Sequence, residues 1–257
     1  LEPNKAIEVL EEKGIHAVEG GSHSRGSTYN TLSYFDLSYI EFLGTTDTLL
    51  LKEIDHPRHS LLEKVVKDNF QDGFAKFAIR TTNIEAAAEH FREKGLTVTG
   101  PVPLSRTRPD GSVINWKLLY VGEEKASLDL PFIIEWEESD EERRSDLTNR
   151  NVITDHPSEA TFSHLTFVVD QLEETVSKWA DLLNVKASEV TINEQLQAEI
   201  QTLHLSGGNL VFQSPIGEGR ISSILKERGD SLYQANLLGN VKETFELLGG
   251  NYQINTK

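Results

Sequence analysis

Glu41 sits where a charge is expensive. It falls within Tyr39-Ile40-Glu41-Phe42-Leu43, whose alternation puts Tyr39, Glu41 and Leu43 on one face of a strand and Ile40 and Phe42 on the other. A carboxylate with apolar neighbours on both sides must be ion-paired, ligate a metal or line a wet cavity. Upstream lie Gly20-Gly21-Ser22-His23 and Thr28-Tyr29-Asn30. His23 can act as a ligand, a general base or a hydrogen-bonding group at a cavity mouth, and its bland reading is a turn cap. Thr28 and Asn30 are polar anchors suited to a carbonyl ligand, although both are also ordinary turn residues. Arg80 ends the run Phe74-Ala75-Lys76-Phe77-Ala78-Ile79-Arg80, where its planar fork can take a substrate carboxylate or phosphate, or else neutralise Glu135. Trp116 reads as core, with a substrate platform as the alternative.

The elements that must position these groups recur along the chain. Residues 4–13 place Ala6, Ile7, Val9 and Leu10 near one helical face, and Gly14 stops the helix. A strand is expected at 15–18, followed by a hairpin of Tyr34 to Leu37 and Ser38 to Leu43. The phrase returns as a strand at 74–80, a helix at 85–94 stopped by Gly95, and strands at 96–100, 114–120 and 130–136. Arg108-Pro109-Asp110-Gly111 supplies a hairpin turn within it. A third copy has a strand at 163–169, an amphipathic helix at 172–183 and strands at 189–192, 198–205 and 209–213. A shorter fourth has a strand at 232–237, a helix at 241–248 stopped by Gly249-Gly250, and a terminal strand at 252–254. The first copy lacks only its opening strand, expected before Leu1. An extra helix is expected at 61–70, and the charged stretch 137–159 reads as a connection between halves 1–140 and 160–257.

Composition narrows the function classes. With 257 residues the chain has ample length for a core, and 37% hydrophobic with 26% charged residues fits a soluble globular protein. A formal charge of −16 repels nucleic acid and anionic membranes, and Arg143-Arg144 is embedded among acids, so neither partner is expected. No cysteine is present, which removes disulfides, thiolate metal sites and cysteine nucleophiles. The apolar runs are too short to span a bilayer, and Leu1-Glu2-Pro3-Asn4 opens an acidic helix rather than a secretory leader, so a cytoplasmic location is expected. There is no phosphate-binding glycine loop, no His-Glu-x-x-His pair and no Gly-x-Ser-x-Gly elbow, and Gly217-Glu218-Gly219 lacks the third glycine of a dinucleotide site.

Repeated strand-helix-three-strand units resemble the vicinal oxygen chelate superfamily, which includes glyoxalase I, methylmalonyl-CoA epimerase, bleomycin-resistance proteins and extradiol dioxygenases of the dihydroxybiphenyl type. Gly20-Gly21-Ser22-His23, Thr28-Tyr29-Asn30, Tyr39 to Leu43, Arg108 to Gly111, Trp116 and Pro131 to Trp136 are similar to its glyoxalase-like branch. That branch usually has a tryptophan and a glycine before the threonine, where this chain has Gly26-Ser27. The resemblance implies an α+β fold, with repeated βαβββ units paired into curved mixed sheets that enclose a cavity. It also implies metal ligands on the first and last strands of each unit. Glu41 matches a last-strand ligand, and Glu135, on the equivalent last strand, would face it across the cavity. The second copy offers Ala75 or Lys76 at the first-strand position. In the third copy His164 matches the first strand while Val211 stands at the last, so His164 is read as a structural remnant.

The implied activity is that of a lyase, isomerase or dioxygenase acting on a small carbonyl or enolisable substrate in the first half. Glu41, Glu135 and His23 would be catalytic and Thr28, Asn30, Arg80 and Trp116 would contact substrate. The implied cofactor is one divalent metal (zinc, nickel, manganese, iron or cobalt) on Glu41 and Glu135, or none. The alternative is a metal-free binding or sequestration protein of the bleomycin-resistance type. A small-molecule ligand is the expected partner, and paired units are compatible with a homodimer.

Overall fold

The computed structural model describes residues 2–23, 28–108 and 111–257. The polar loop at 24–27, with its Gly26-Ser27 departure, and the Pro109-Asp110 tip of the expected turn lie outside the described residues. The base of that turn is closed by the Arg108 amide donating to the Ser112 carbonyl at 2.8 Å and the Gly111 amide to the Arg108 carbonyl at 2.9 Å. The chain divides into two compact units, Leu1–Pro157 and Ser158–Lys257.

In the first unit, α1 (Lys5–Glu12) buries Ala6 and Leu10 and ends where Gly14 takes φ 67°. The strands β1 (Val18–His23), β2 (Thr28–Phe35) and β3 (Ser38–Thr45) form an antiparallel sheet in that order. Asp36 turns the β2–β3 hairpin at φ 56°, as the break in the aromatic run anticipates. The Thr31 hydroxyl donates to Asn4 at the start of α1 at 3.2 Å, so α1 covers the Thr31 face of the sheet. The opposite face carries Glu41. The strand expected at 15–18 begins only at Val18, because Ile15 and Ala17 are buried in the approach to the sheet rather than paired in it.

Two short helices follow, α2 (Thr48–Glu53), which the sequence reading missed, and α3 (Leu61–Lys67), capped by the side chains of Asp47 and Ser60. Then β4 (Ala78–Arg80), α4 (Ile84–Glu93), β5 (Thr97–Thr107), β6 (Val113–Gly122) and β7 (Phe132–Trp136) complete one βαβββ repeat. Its sheet order is β4-β7-β6-β5, with β4 parallel to β7.

The stretch 137–159 is not the expected free connection. It holds α5 (Asp140–Asn149), opened by a capping box between Ser139 and Glu142. Leu147 is buried against Leu32 and Tyr34, and Arg143 is only 4% exposed, so the helix belongs to the first unit. One apolar residue in ten leaves no helical stripe in the sequence; burial is achieved through an arginine instead.

In the second unit, β8 (Thr161–Val168), α6 (Leu172–Leu183), β9 (Thr191–Asn193), β10 (Ala198–Leu203) and β11 (Asn209–Pro215) repeat the same topology, β8-β11-β10-β9 with β8 parallel to β11. Phe167, Phe212 and Trp179 of α6 form its aromatic core, with ring centroids 5.0–5.5 Å apart. After α7 (Arg220–Arg228) come β12 (Ser231–Gly239), β13 (Glu243–Leu247) and β14 (Gly250–Thr256). The helix expected at 241–248 is therefore strand β13. Leu248 at φ 47° and Gly249 at φ 72° make the two-residue turn that joins it to β14, and Phe245 stacks on Tyr252 across the pair. Short apolar runs satisfy both periods, and the glycines that looked like a helix stop are a hairpin turn. Among the described residues no helix is long and apolar enough to cross a membrane.

Candidate functional site

The register of β1–β3 gathers the candidate residues of the first repeat on one face. Leu32 pairs with Glu41, Asn30 with Leu43, Tyr34 with Tyr39, and His23 with Thr28, so all project from the side opposite α1. Asn30, only 4% exposed, donates through Nδ2 to Glu41 Oε1 at 2.5 Å. Its Oδ1 is buried against Gly20 without a partner among the described residues. A Cβ at residue 20 would overlap that oxygen, which explains why the β1 bulge carries a glycine there. Buried Thr28 holds its hydroxyl 3.1 Å from His23 Nδ1. The rings of Tyr34 and Tyr39 stack at 4.8 Å.

The second repeat turns its own aromatic face towards this set. Leu104, Trp116 and Trp136 are successive partners across β5, β6 and β7, and Arg106 lies one step further along β5 on their face. The Trp116 and Trp136 rings are 5.6 Å apart, and the Arg143 guanidinium lies 3.6 Å over Trp136. Arg143 also stands beside the Tyr34 hydroxyl and 3.8 Å from Glu138. Arg106 reaches the β1 bulge at Gly21 and is felt electrostatically by His23, Tyr34, Tyr39 and Glu41.

Electrostatics fix the protonation states. Burial lowers the pKa of His23, with Glu41 opposing and Arg106 reinforcing the shift, so the imidazole is held neutral. Burial raises Tyr34 and lifts Tyr39 well above the ordinary phenol range, so both remain O–H donors. The same desolvation lowers Arg106.

Several expected residues thus converge: Glu41, Asn30, Thr28 and His23 share one face of the first sheet, and Trp116 is on the aromatic face of the second. Trp116 is half-buried, a wall as well as core. Two expectations are corrected. Glu135 does not face Glu41: it pairs with Lys117 on the α4 side of its sheet, and its Oε1 accepts the Ile84 amide at 3.1 Å, capping α4. Arg80 neutralises Asp140 at 2.7 Å, not Glu135. His164 of β8 is hydrogen-bonded to Ser163 at 2.8 Å. The sequence reading missed Arg106 and Arg143. Arg106 carried a legible signal, a charge two residues from Leu104 on an alternating strand. Arg143 carried none, since its neighbours are all polar.

Among the described residues the donor set does not fit the divalent ion that the resemblance implies. Among the described residues no three His, Asp or Glu side chains stand where one ion could be held. Glu41 and His23 are two donors, and Glu135 belongs to another face.

An αβββ repeat and a βαβββ repeat in one unit, with acid, imidazole and amide on one sheet face, are the architecture that the resemblance implies for a glyoxalase-like domain. The chain belongs to the Glyoxalase-like domain family, whose model matches residues 2–189. Among curated proteins nothing matches it. Among solved structures it is similar to a hypothetical protein from Staphylococcus aureus, at 19% identity over 96% of this chain and 93% of that one, with a TM-score of 0.78. It is also similar to a triple mutant of 4-hydroxymandelate synthase from Streptomyces coelicolor, at 11% identity over 93% and 67% of the two chains and a TM-score of 0.58. At these identities the likeness establishes the fold.

Proposed function

We propose that the first unit binds a small carbonyl compound against β1–β3 and that Glu41 moves a proton on the carbon next to that carbonyl, as in an isomerase or lyase. The observation that carries this reading is the Asn30–Glu41 contact. Asn30 fixes one carboxylate oxygen at 2.5 Å, while the other has no partner among the described residues and lies on a face open to a ligand. Glu41 takes the proton, the C–H electron pair becomes the C=C bond of an enolate, and the carbonyl π pair moves to oxygen. Tyr34 and Tyr39, kept as phenols by burial, supply O–H donors for that oxygen. Return of the proton to the same carbon, on either face, completes the step with no other reactant.

The test is solvent exchange. The intact chain in deuterium oxide is expected to wash out the α-proton NMR signals of members of a panel of aryl ketones and 1,2-dicarbonyls, and Glu41→Gln is expected to stop it. Exchange that survives in Glu41→Gln, or is absent throughout, would end this reading. A second reading, a binding or sequestration protein, is favoured by the incomplete donor set among the described residues. It expects saturable binding of an apolar compound with no exchange at all.

A further inference from the structure

Acids outnumber bases by 41 to 25 in this chain, so a basic side chain has every chance of an ion-pair partner. The arginines around the site find one: Arg80 with Asp140 at 2.7 Å, Arg108 with Asp146 at 2.6 Å, Arg144 with Asp36 at 2.6 Å, and Arg143 with Glu138 at 3.8 Å. Arg106 does not. Among the described residues its guanidinium makes no hydrogen bond and no ion pair, although it is half-buried and pays for desolvation. A partly desolvated guanidinium without a partner is costly in the free protein and is satisfied when an anion arrives.

We propose that Arg106 is the carboxylate-binding residue of the first unit, and that the natural ligand is an apolar or aromatic compound bearing a carboxylate besides its carbonyl group. This deepens the proton-transfer reading, on which it rests for the location of the site. Three features support a carboxylate rather than a larger anion. The guanidinium is a single fork matched to two oxygens. No second free cation stands near it among the described residues, Arg108 and Arg143 being engaged by Asp146 and Glu138. The face it shares with Leu104, Trp116 and Trp136 offers an apolar wall for the rest of the molecule. Glu41 and Arg106 then work on opposite ends of the ligand: the arginine anchors the anion, and like-charge repulsion from Glu41 keeps the carboxylate away from the base.

Calorimetric titration of the intact chain with benzoate and with benzamide tests this. Wild type is expected to hold benzoate at least ~10-fold more tightly than benzamide, the scale of a charge-assisted hydrogen bond. Arg106→Gln should remove that preference by weakening benzoate alone, and Arg106→Lys should keep part of it. Glu41→Gln should leave benzoate binding intact or tighten it. The proposal is overturned if benzoate shows no saturable binding, if the amide binds equally well, or if Arg106→Gln keeps the preference. Benzoate preference lost with ketone exchange intact sinks the carboxylate site alone. Exchange absent with the preference intact sinks only the proton-transfer reading.

Discussion

The last strands of the first two repeats, β3 and β7, each carry one glutamate among apolar residues, and the two side chains leave opposite faces of their sheets. Glu41 shares a face with Tyr39 and Leu43 and meets Asn30; Glu135 shares its face with Ile133 and caps α4 through the Ile84 amide. Side chains alternate along a strand, so a shift of one residue moves a group from site to scaffold. Equivalent elements therefore do not imply equivalent roles, and the ligand pairing that the repeat resemblance implied fails on parity alone. The first repeat supplies the acid-base and amide groups, while the second supplies an aromatic wall, an arginine and, on its far side, a structural carboxylate.

The largest expected effect breaks this pairing directly. Glu41→Gln should reduce proton exchange by about 10²–10⁴-fold, the usual worth of a general base, with the melting midpoint unchanged. Glu135→Gln should do the reverse, leaving exchange intact and lowering stability by about 0.3–1 kcal/mol as the α4 N-terminus loses its carboxylate. Equal loss of exchange in both variants would restore the two-carboxylate site.

The β2–β3 hairpin, α4, α6 and the repeated strand order were legible because each rests on a local signal. Apolar alternation broken at Asp36, a helix closed by Gly95 and an amphipathic stretch at 172–183 need no tertiary information. The site was half legible. Glu41 declared itself by its cost on an apolar strand, and Asn30 and Thr28 by adjacency, whereas Glu135 required the parity of β7 against α4. α5 hid because Arg143 does the work that a leucine does elsewhere: its guanidinium covers the Trp136 ring and its charge answers Glu138. A stretch of acids and bases that reads as a connection between halves is in fact a helix packed on both repeats of the first unit.

Arg143 is where the two repeats depend on each other, since it lies beside Tyr34 of the first and over Trp136 of the second. Arg143→Met keeps an unbranched apolar stem but leaves Glu138, whose Oε2 is already buried without a hydrogen bond, with no counter-charge among the described residues. A loss of about 3–5 kcal/mol is expected in the unfolding of the first unit, read from chemical denaturation. A loss confined to ligand affinity, with denaturation unchanged, would make Arg143 a binding residue rather than a support.

His156 ties the end of the first unit to the first repeat only. Its Nδ1 accepts the His16 amide at 2.9 Å and its Nε2 donates to the Tyr34 carbonyl at 2.8 Å, which requires the neutral ring. Burial, helped by His16 and opposed by the Tyr34 carbonyl and Asp155, lowers its pKa. The unfolded chain therefore binds the proton first. The stability this histidine contributes is complete above its unfolded pKa of about 6.5 and is lost as pH falls towards the folded value. His23, His59 and His164 are lowered by burial as well, so wild type should lose stability steadily below that pH. His156→Gln should cost about 1–3 kcal/mol at neutral pH and make the remaining acid slope shallower. An unchanged slope would show that the other histidines carry it.

The smallest effect belongs to Arg144, the neighbour of Arg143 in sequence and its opposite in consequence. Its fork grips Asp36 in the β2–β3 turn through Nε at 2.6 Å and Nη2 at 3.0 Å, a better geometry than any contact Arg143 makes. Yet the two side chains are 47% and 60% exposed, so water and salt screen the attraction and ordering both chains offsets much of it. Arg144→Ala should leave the melting midpoint and ketone exchange where they are. A fall comparable to that of Arg143→Met would mean that the hairpin turn is held from α5 rather than by its own strands, and the first repeat would then depend on the helix at two points instead of one.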